Sequence, residues 1–168
     1  MQASEIDWDA IYAEQLPRVY NFFRYRVGDG PLAEDLTATT FEKAWRSRTR
    51  YRRDLGAFST WLFSIARNVA TDYFRKNHNE LPLEDAHFQP DPAFVQETIE
   101  HHQDFAYLST LLAQLSARER ELIAYKYGAE LNNRTIARLT HLSESNVGTI
   151  LNRSVNKLSA AWEAEDER

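Results

Sequence analysis

Residues Phe41 to Lys76 read FEKAWRSRTRYRRDLGAFSTWLFSIARNVATDYFRK. From Phe58 onward, apolar residues fall at 58, 61, 62, 65, 66, 69 and 73, which is one face of a 3.6-residue helix. That spacing predicts a helix from about Phe58 to Lys76, with Phe58, Trp61 and Ile65 in its core. Arg67, Thr71 and Arg75 form a second stripe at i, i+4, i+8, a pattern common to solvated and phosphate-binding faces. Residues 47–57 are basic and lack strong periodicity, so they read as a loop or frayed turn closed by Leu55-Gly56. Aromatic rings and Lys/Arg are both concentrated in the whole stretch. Positive charge attracts a phosphate backbone, and rings give unpaired bases a face to stack on. A duplex reader needs the charge but not the rings. Tyr51, Arg52 and Arg53, set in the loop, therefore favour single-stranded nucleic acid.

The rest of the chain limits what surrounds this stretch. Its 168 residues make one or two small domains. It has no cysteine, which excludes disulfides and thiolate metal sites and is compatible with a reducing cytoplasm. The start, MQASEIDWDAIY, lacks the basic and apolar segments of a signal peptide. No apolar run approaches the ~20 residues that would span a bilayer. The formal net charge of −5 argues against a protein that coats DNA, but the acid is unevenly placed. Residues 77–105 carry acids and no Lys/Arg, and the tail 163–168 is acidic. Residues 1–76 and 106–162 are each mildly basic. Such a chain would bind DNA weakly alone, which suits a component of a larger complex.

Toward the N-terminus, Trp8, Ile11, Tyr12, Leu16, Val19, Tyr20, Phe23 and Val27 mark an amphipathic helix. Pro17 is expected to kink it or delay its start. Gly28-Asp29-Gly30 ends it, and Pro31 suits the first turn of a second helix, to about Arg46. The apolar side of that helix includes Leu32, Leu36, Phe41 and Trp45, and its polar side Glu34, Asp35, Thr39 and Glu42. Beyond Lys76, Pro82, Pro90 and Pro92 break regular structure. An acidic linker follows, with a short helix starting near Pro92. His78, His87, His101 and His102 have no repeated carboxylate-His spacing and read as surface residues, so no metal or other cofactor is expected.

Leu108, Leu111, Leu112 and Leu115 form an apolar stripe. Ser116 and Glu119 form a capping box opening a new helix, with Leu122, Ile123 and Tyr127 on its buried face and Gly128 at its end. Asn132 to Leu139, the turn Thr140-His141-Leu142, and Ser143 to Leu158 make a helix-turn-helix pattern. Ile136, Ala137 and Leu139 face inward from its first helix. Ser143 caps the second, which Val147, Ile150, Leu151 and Leu158 bury. Its outward residues Ser145, Asn146, Thr149, Asn152 and Arg153 would enter a major groove. Asn can pair with adenine there, and Arg with guanine or phosphate. Gly148 interrupts this helix at a cost of about 1 kcal/mol relative to Ala; it either admits a close DNA backbone or is only tolerated. Trp162 onward reads as a frayed acidic end.

The segments AEDLTATTFEKAW and FSTWLFSIARNVATDYFRK together resemble region 2 of bacterial RNA polymerase sigma factors, closest to the small extracytoplasmic-function (ECF) group. Ala33-Glu34-Asp35-Leu36, Phe41, Ala44-Trp45, Trp61-Leu62, Ile65-Ala66, Asn68, Asp72 and Arg75 carry the resemblance. The helix-turn-helix resembles region 4 of the same family. The resemblance implies an all-α chain of two small domains joined by an acidic linker. Residues 1–76 would form a three- to four-helix bundle, 77–105 the linker, 106–162 the helix-turn-helix domain and 163–168 a tail.

The implied function is promoter recognition for core RNA polymerase, with no enzymatic activity of its own, in the cytoplasm. Asp35, Leu36, Thr39 and Glu42 would lie at or near the contact with the β′ clamp, and region 4 would touch the β flap. The family usually has Gln-Glu or Gln-Asp where this chain has Ala38-Thr39, so two polar groups that commonly face the polymerase are missing. Tyr51, Arg52, Arg53, Phe58, Trp61, Arg67, Asn68, Thr71 and Arg75 would read and open the −10 element, flipping a base into a pocket. Asn68 could read a base edge or instead bond Asp72. Ser145, Asn146, Thr149, Asn152 and Arg153 would read the −35 element. Promoter DNA is then the second partner, and the family suggests an anti-sigma factor as a third. The alternative is a stand-alone helix-turn-helix regulator, which leaves Phe41–Lys76 without a purpose.

Overall fold

The computed structural model describes residues 6–52, 57–77 and 101–168. Arg53, Leu55-Gly56, His78, His87 and the helix expected near Pro92 lie outside them. The described residues contain seven α-helices and no strand. They are α1 (Trp8–Val27), α2 (Gly30–Arg46), α3 (Phe58–Lys76), α4 (His101–Leu112), α5 (Ala117–Ile123), α6 (Asn133–Thr140) and α7 (Glu144–Asp166). A 3₁₀ turn (Arg48–Arg50) follows α2, and a π-helical turn (Ala124–Gly128) continues α5.

Local chemistry sets most boundaries. Asp7 and Asp29 cap α1 and α2 by accepting from the amides of Ala10 and Leu32. Helix α1 runs through Pro17, so the proline does not delay its start. Gly28 closes α1 at φ 76°, a backbone conformation open to glycine. The capping box at Ser116 and Glu119 is formed in both directions. Asn132 and Ser143 cap α6 and α7, and His141 takes the left-handed position between them that glycine often fills.

The first three helices pack on one another, and their core continues without a break into the C-terminal half. Helix α1 lies against the π turn and α5, and α3 against α6. The Phe22 ring stacks on Tyr125 at 4.7 Å and meets Phe63 edge-on at 5.8 Å. Arg18 donates to the Ala129 carbonyl at 2.8 Å. A Cβ on Gly128 would stand 2.9 Å from the Asn21 carbonyl oxygen. Gly128 therefore permits a close helix crossing. The left-handed residue after this turn is Glu130, two positions on.

Several side chains sit differently from the periodicity. In α3 the fully enclosed residues are Leu62, Phe63, Ala66, Val69 and Ala70, while Phe58, Trp61 and Ile65 are half-buried at the margin. The core face is displaced because α3 is covered from two sides, by α1 and α2 and by the C-terminal half. Trp45 is 52% exposed, and α2 instead buries Ala33, Leu36, Thr37, Thr40 and Ala44. Tyr127 is also 52% exposed and Tyr125 takes the core place, because the π turn rotates the residues after Ile123. The C-terminus is not frayed from Trp162. Helix α7 continues to Asp166, Trp162 packs on Tyr107 at 4.7 Å, and the Tyr107 hydroxyl donates to the Ala161 carbonyl.

Candidate nucleic-acid interface

The loop end of the first three helices carries a continuous cluster of rings. Tyr51 meets Phe58 and Trp61, each at 5.3 Å. Phe58 meets Trp8 at 5.5 Å, and Trp8 meets Trp45 edge-on at 5.9 Å. The Arg48 guanidinium lies 4.0 Å from the centre of the Trp45 ring, a cation–π contact that leaves its charge at the rim. Between α1, α2 and the start of α3, the rings of Trp8, Tyr12, Phe41, Trp45 and Phe58 line a cavity of about 240 Å³. Rings beside arginines offer stacking faces and phosphate partners together, and each stacked base is worth about 1–3 kcal/mol. Trp8, Trp45 and Arg48 were missed as candidates from sequence. Trp45 stands at i+4 from Phe41 on the apolar side of α2, a spacing that predicts core, and Trp8 lies far from the loop along the chain.

The expected −10 residues divide into groups. Tyr51, Phe58 and Trp61 come together in the ring cluster, with Arg52 exposed beside them. Asn68, Thr71 and Arg75 are exposed along α3. Asp72 pairs with Arg75 at 2.7 Å and approaches Lys43 at 3.9 Å, so among the described residues it meets basic side chains and not Asn68. Arg67 differs from its stripe: its Nε donates to Glu121 of α5 at 3.1 Å.

On α2, Asp35 and Glu42 are exposed and Thr39 is half-exposed, its hydroxyl donating to the Asp35 carbonyl. Glu42 pairs with Arg46 at 2.6 Å. Leu36 departs from the expectation: it is 7% exposed and belongs to the protein's own core, so its side chain is not offered to a partner. Beside this acidic stripe runs a groove between α1 and α2, walled by Leu16, Pro17, Tyr20 and Ala38. Ala38 adds an apolar side chain to that wall.

In the helix-turn-helix, Ser145, Asn146, Thr149, Asn152 and Arg153 are all exposed on α7. Val147 and Leu151 hold the opposite face against the core, and the Ser154 hydroxyl donates to the Ile150 carbonyl. Glu119 ties the capping box of α5 to α7 by accepting from Lys157 at 2.9 Å. Burial disfavours this carboxylate, but hydrogen bonds from Lys157 and Ser116 outweigh it and hold its pKa below the usual value. A depressed carboxyl pKa adds stability above the unfolded value, and that part is lost as pH falls through the folded value.

A Cβ at Gly148 would meet only the Asn133 side-chain nitrogen at 3.8 Å, an ordinary contact, so packing within the described chain does not require glycine. Gly148→Ala is expected to stabilise α7 by about 0.5–1 kcal/mol, read as a raised Tm. If the backbone there approaches DNA closely, duplex affinity will fall while Tm rises. Equal affinity would assign glycine no part in recognition.

Among the described residues no cluster of His, Asp and Glu is arranged to hold a metal ion, and no helix is long and apolar enough to cross a membrane. Residues 11–80 match the family profile Sigma-70 region 2, and residues 105–158 match Sigma-70, region 4. The chain is 30% identical over 158 residues to the ECF RNA polymerase sigma factor SigM of Bacillus subtilis, covering 92% of this chain and 94% of that protein. It is 29% identical to a probable RNA polymerase sigma factor of Haemophilus influenzae, over 82% of this chain and 80% of the relative. Among solved structures, the sigma factor RpoE of Bartonella quintana, crystallised with the anti-sigma factor NepR, superposes with a TM-score of 0.73 at 21% identity, covering 94% of this chain and 97% of that one. CnrH, in complex with the cytosolic domain of CnrY, superposes at 0.64 and 21% identity, over 92% and 84% of the two chains. At such identity these two likenesses speak for the fold alone.

Proposed function

Because the chain belongs to the ECF group of the sigma-70 family, we propose that it is a dissociable promoter-specificity subunit of RNA polymerase. It binds the core enzyme, directs it to specific promoters and helps to open the DNA. It performs no covalent chemistry, since the polymerase supplies the active site, and it works in the cytoplasm. An anti-sigma factor is a further partner, of the kind crystallised with RpoE.

The observation that carries this reading is the presence of two chemically different exposed surfaces on one chain. One is the ring cluster with its arginines, suited to unpaired strand; the other is the outward face of α7, suited to a major groove. A stand-alone helix-turn-helix regulator has no use for the first. Residues 1–76 are the polymerase-binding and −10 unit, 77–105 the linker, and 106–162 the −35 unit. Tyr51, Phe58 and Trp61 stack on the opened strand, with Trp8 and Trp45 lining the adjoining cavity. Arg52, Arg53, Arg67 and Arg75 meet phosphates, and Asn68 and Thr71 meet base edges. Ser145, Asn146, Thr149, Asn152 and Arg153 read the −35 duplex. Asp35, Thr39 and Glu42 face the β′ clamp, with the groove at Ala38 adding apolar contact, while the helix-turn-helix unit reaches the β flap. Linking two weak readers raises their joint affinity through effective concentration.

The test is co-elution of the purified chain with bacterial core RNA polymerase in size exclusion, with Asp35→Ala as the control. Asp35 is exposed, so its loss leaves the fold intact, and a drop in core affinity of about tenfold, roughly 1.4 kcal/mol, is expected. Leu36→Ala is not a clean probe, since it cuts into the core. Absence of a complex, together with sequence-specific duplex binding by the chain alone, would replace this reading with the stand-alone regulator.

A further inference from the structure

The carboxylate of Glu121 lies at the seam between the two halves of the chain, with its side chain only 12% exposed. Arg67 of α3 donates to it at 3.1 Å, and Arg26 of α1 stands 3.8 Å away. Arg26 is held there by the Phe74 ring, 4.8 Å from its guanidinium. One acid of α5 thus faces two cations of the N-terminal helices, a pairing that is only weakly screened when partly buried. Arg67 is also one member of the Arg67, Thr71, Arg75 stripe, whose other two members face solvent.

We propose that Glu121 is an internal stand-in for a nucleic-acid phosphate: it occupies Arg67 while the two halves are packed together, and a single strand must displace it to use that cation. The proposal rests on the −10 reading of α3 given above. The same Nε–H cannot serve both acceptors. The backbone phosphate of an unpaired strand is the ligand class that would compete, being anionic and able to accept from the guanidinium as a carboxylate does. When the strand takes Arg67, the seam loses an ion pair, and Glu121 is left with Arg26.

Two further features suit a contact that must open. The Tyr125 hydroxyl, buried at the same seam, has no hydrogen-bond partner among the described residues, so the closed arrangement carries an unmet polar group. Promoter elements at −10 and −35 are also too far apart for the closed body. Some 25 base pairs at 3.4 Å make roughly 85 Å, whereas a compact chain of this length, with a radius of gyration of about 15 Å, is roughly 40 Å across. The chain between Asn77 and His101, at up to ~3.5 Å per residue, is long enough to let the halves part.

The absence of cysteine allows site-specific labelling. A donor and acceptor dye pair at Ser64→Cys on α3 and Asn156→Cys on α7, both exposed positions, reports the separation of the halves. Fluorescence anisotropy with a labelled (dT)20 strand reports affinity. Glu121→Gln keeps the shape and removes the charge. It is expected to raise (dT)20 affinity about five- to tenfold and to shift the dyes apart, and Arg67→Ala in that background is expected to abolish the gain. In the unmutated full chain, (dT)20 is expected to increase the dye separation, a reading that does not depend on any Glu121 variant folding. Affinity within twofold of the parent for a folded Glu121→Gln, or an unchanged separation when the strand is bound, would overturn the proposal and leave Glu121 a structural ion pair. Core binding by size exclusion keeps the two readings apart. A chain that joins core polymerase but shows no Glu121 effect loses only this proposal; one that shows the effect but never joins core loses only the sigma assignment.

Discussion

Arg120→Ala is expected to cost about 3–5 kcal/mol and to melt the C-terminal helices well below the parent. Arg120 is 3% exposed, and its guanidinium sits between the end of α4 and the start of α5. Its Nε donates to the Leu112 carbonyl at 3.0 Å, and its Nη2 to Leu115 at 2.9 Å and Ala113 at 3.4 Å. These carbonyls lie at and just past the end of α4, where a cation is favoured, and of the three that of Leu112 also accepts from the Leu115 amide at 3.1 Å. Removing the side chain takes a donor from each of them, leaves the buried Leu115 carbonyl without its guanidinium partner and opens a cavity. Arg120→Lys should recover only part of the loss, because one ammonium cannot reproduce the planar fork. Circular dichroism melts of the three proteins test this, and a loss below about 1 kcal/mol would mean that water satisfies the carbonyls equally well.

Phe22→Ala is expected to have an effect of similar size, about 3–5 kcal/mol, through a different mechanism. Phe22 is fully buried and touches Phe23, Phe63 and Tyr125 with ring centroids at 5.1, 5.8 and 4.7 Å. Its truncation opens a void shared by α1, α3 and the π turn, which backbone relaxation can close only in part. The ring belongs to both halves of the chain. The expected result is therefore a lowered Tm together with a wider separation in the Ser64/Asn156 dye pair described above. A lowered Tm at constant separation would confine the role of Phe22 to the N-terminal helices.

Helix α3 shows why its existence was legible in sequence and its burial was not. Nineteen residues with a 3.6 repeat cannot bury their apolar positions as a strand, and the structure has a helix at Phe58–Lys76. The repeat averages over one partner, however, and α3 has two. Phe63 lay off the expected face and is enclosed because α1 brings Phe22 to it. Trp45 and Tyr127 failed in the opposite direction. Both are large rings at helical spacing, and periodicity places any ring inside when nothing indicates that no partner helix covers it. In the candidate site, Tyr51, Phe58 and Trp61 were legible because they are neighbours along the chain. Trp8 was not, since the 49 residues between Trp8 and Phe58 give no sign that the start of α1 closes the same cavity.

The sequence by itself determined the helices, their caps and the helix-turn-helix, because these depend on residues within a few positions of one another: Asp29 with Leu32, Ser116 with Glu119, Ser143 with Asn146. It also carried the two family segments and the charge distribution, which are properties of order and composition. Only the tertiary structure decided which residues of each helix are enclosed, that Leu36 is unavailable to a partner, and that Arg67 meets Glu121 across the seam. Contacts between residues 54 apart in sequence depend on how whole helices cross. That crossing is set by close approaches such as Gly128 against Asn21, which leave no local signature in the chain.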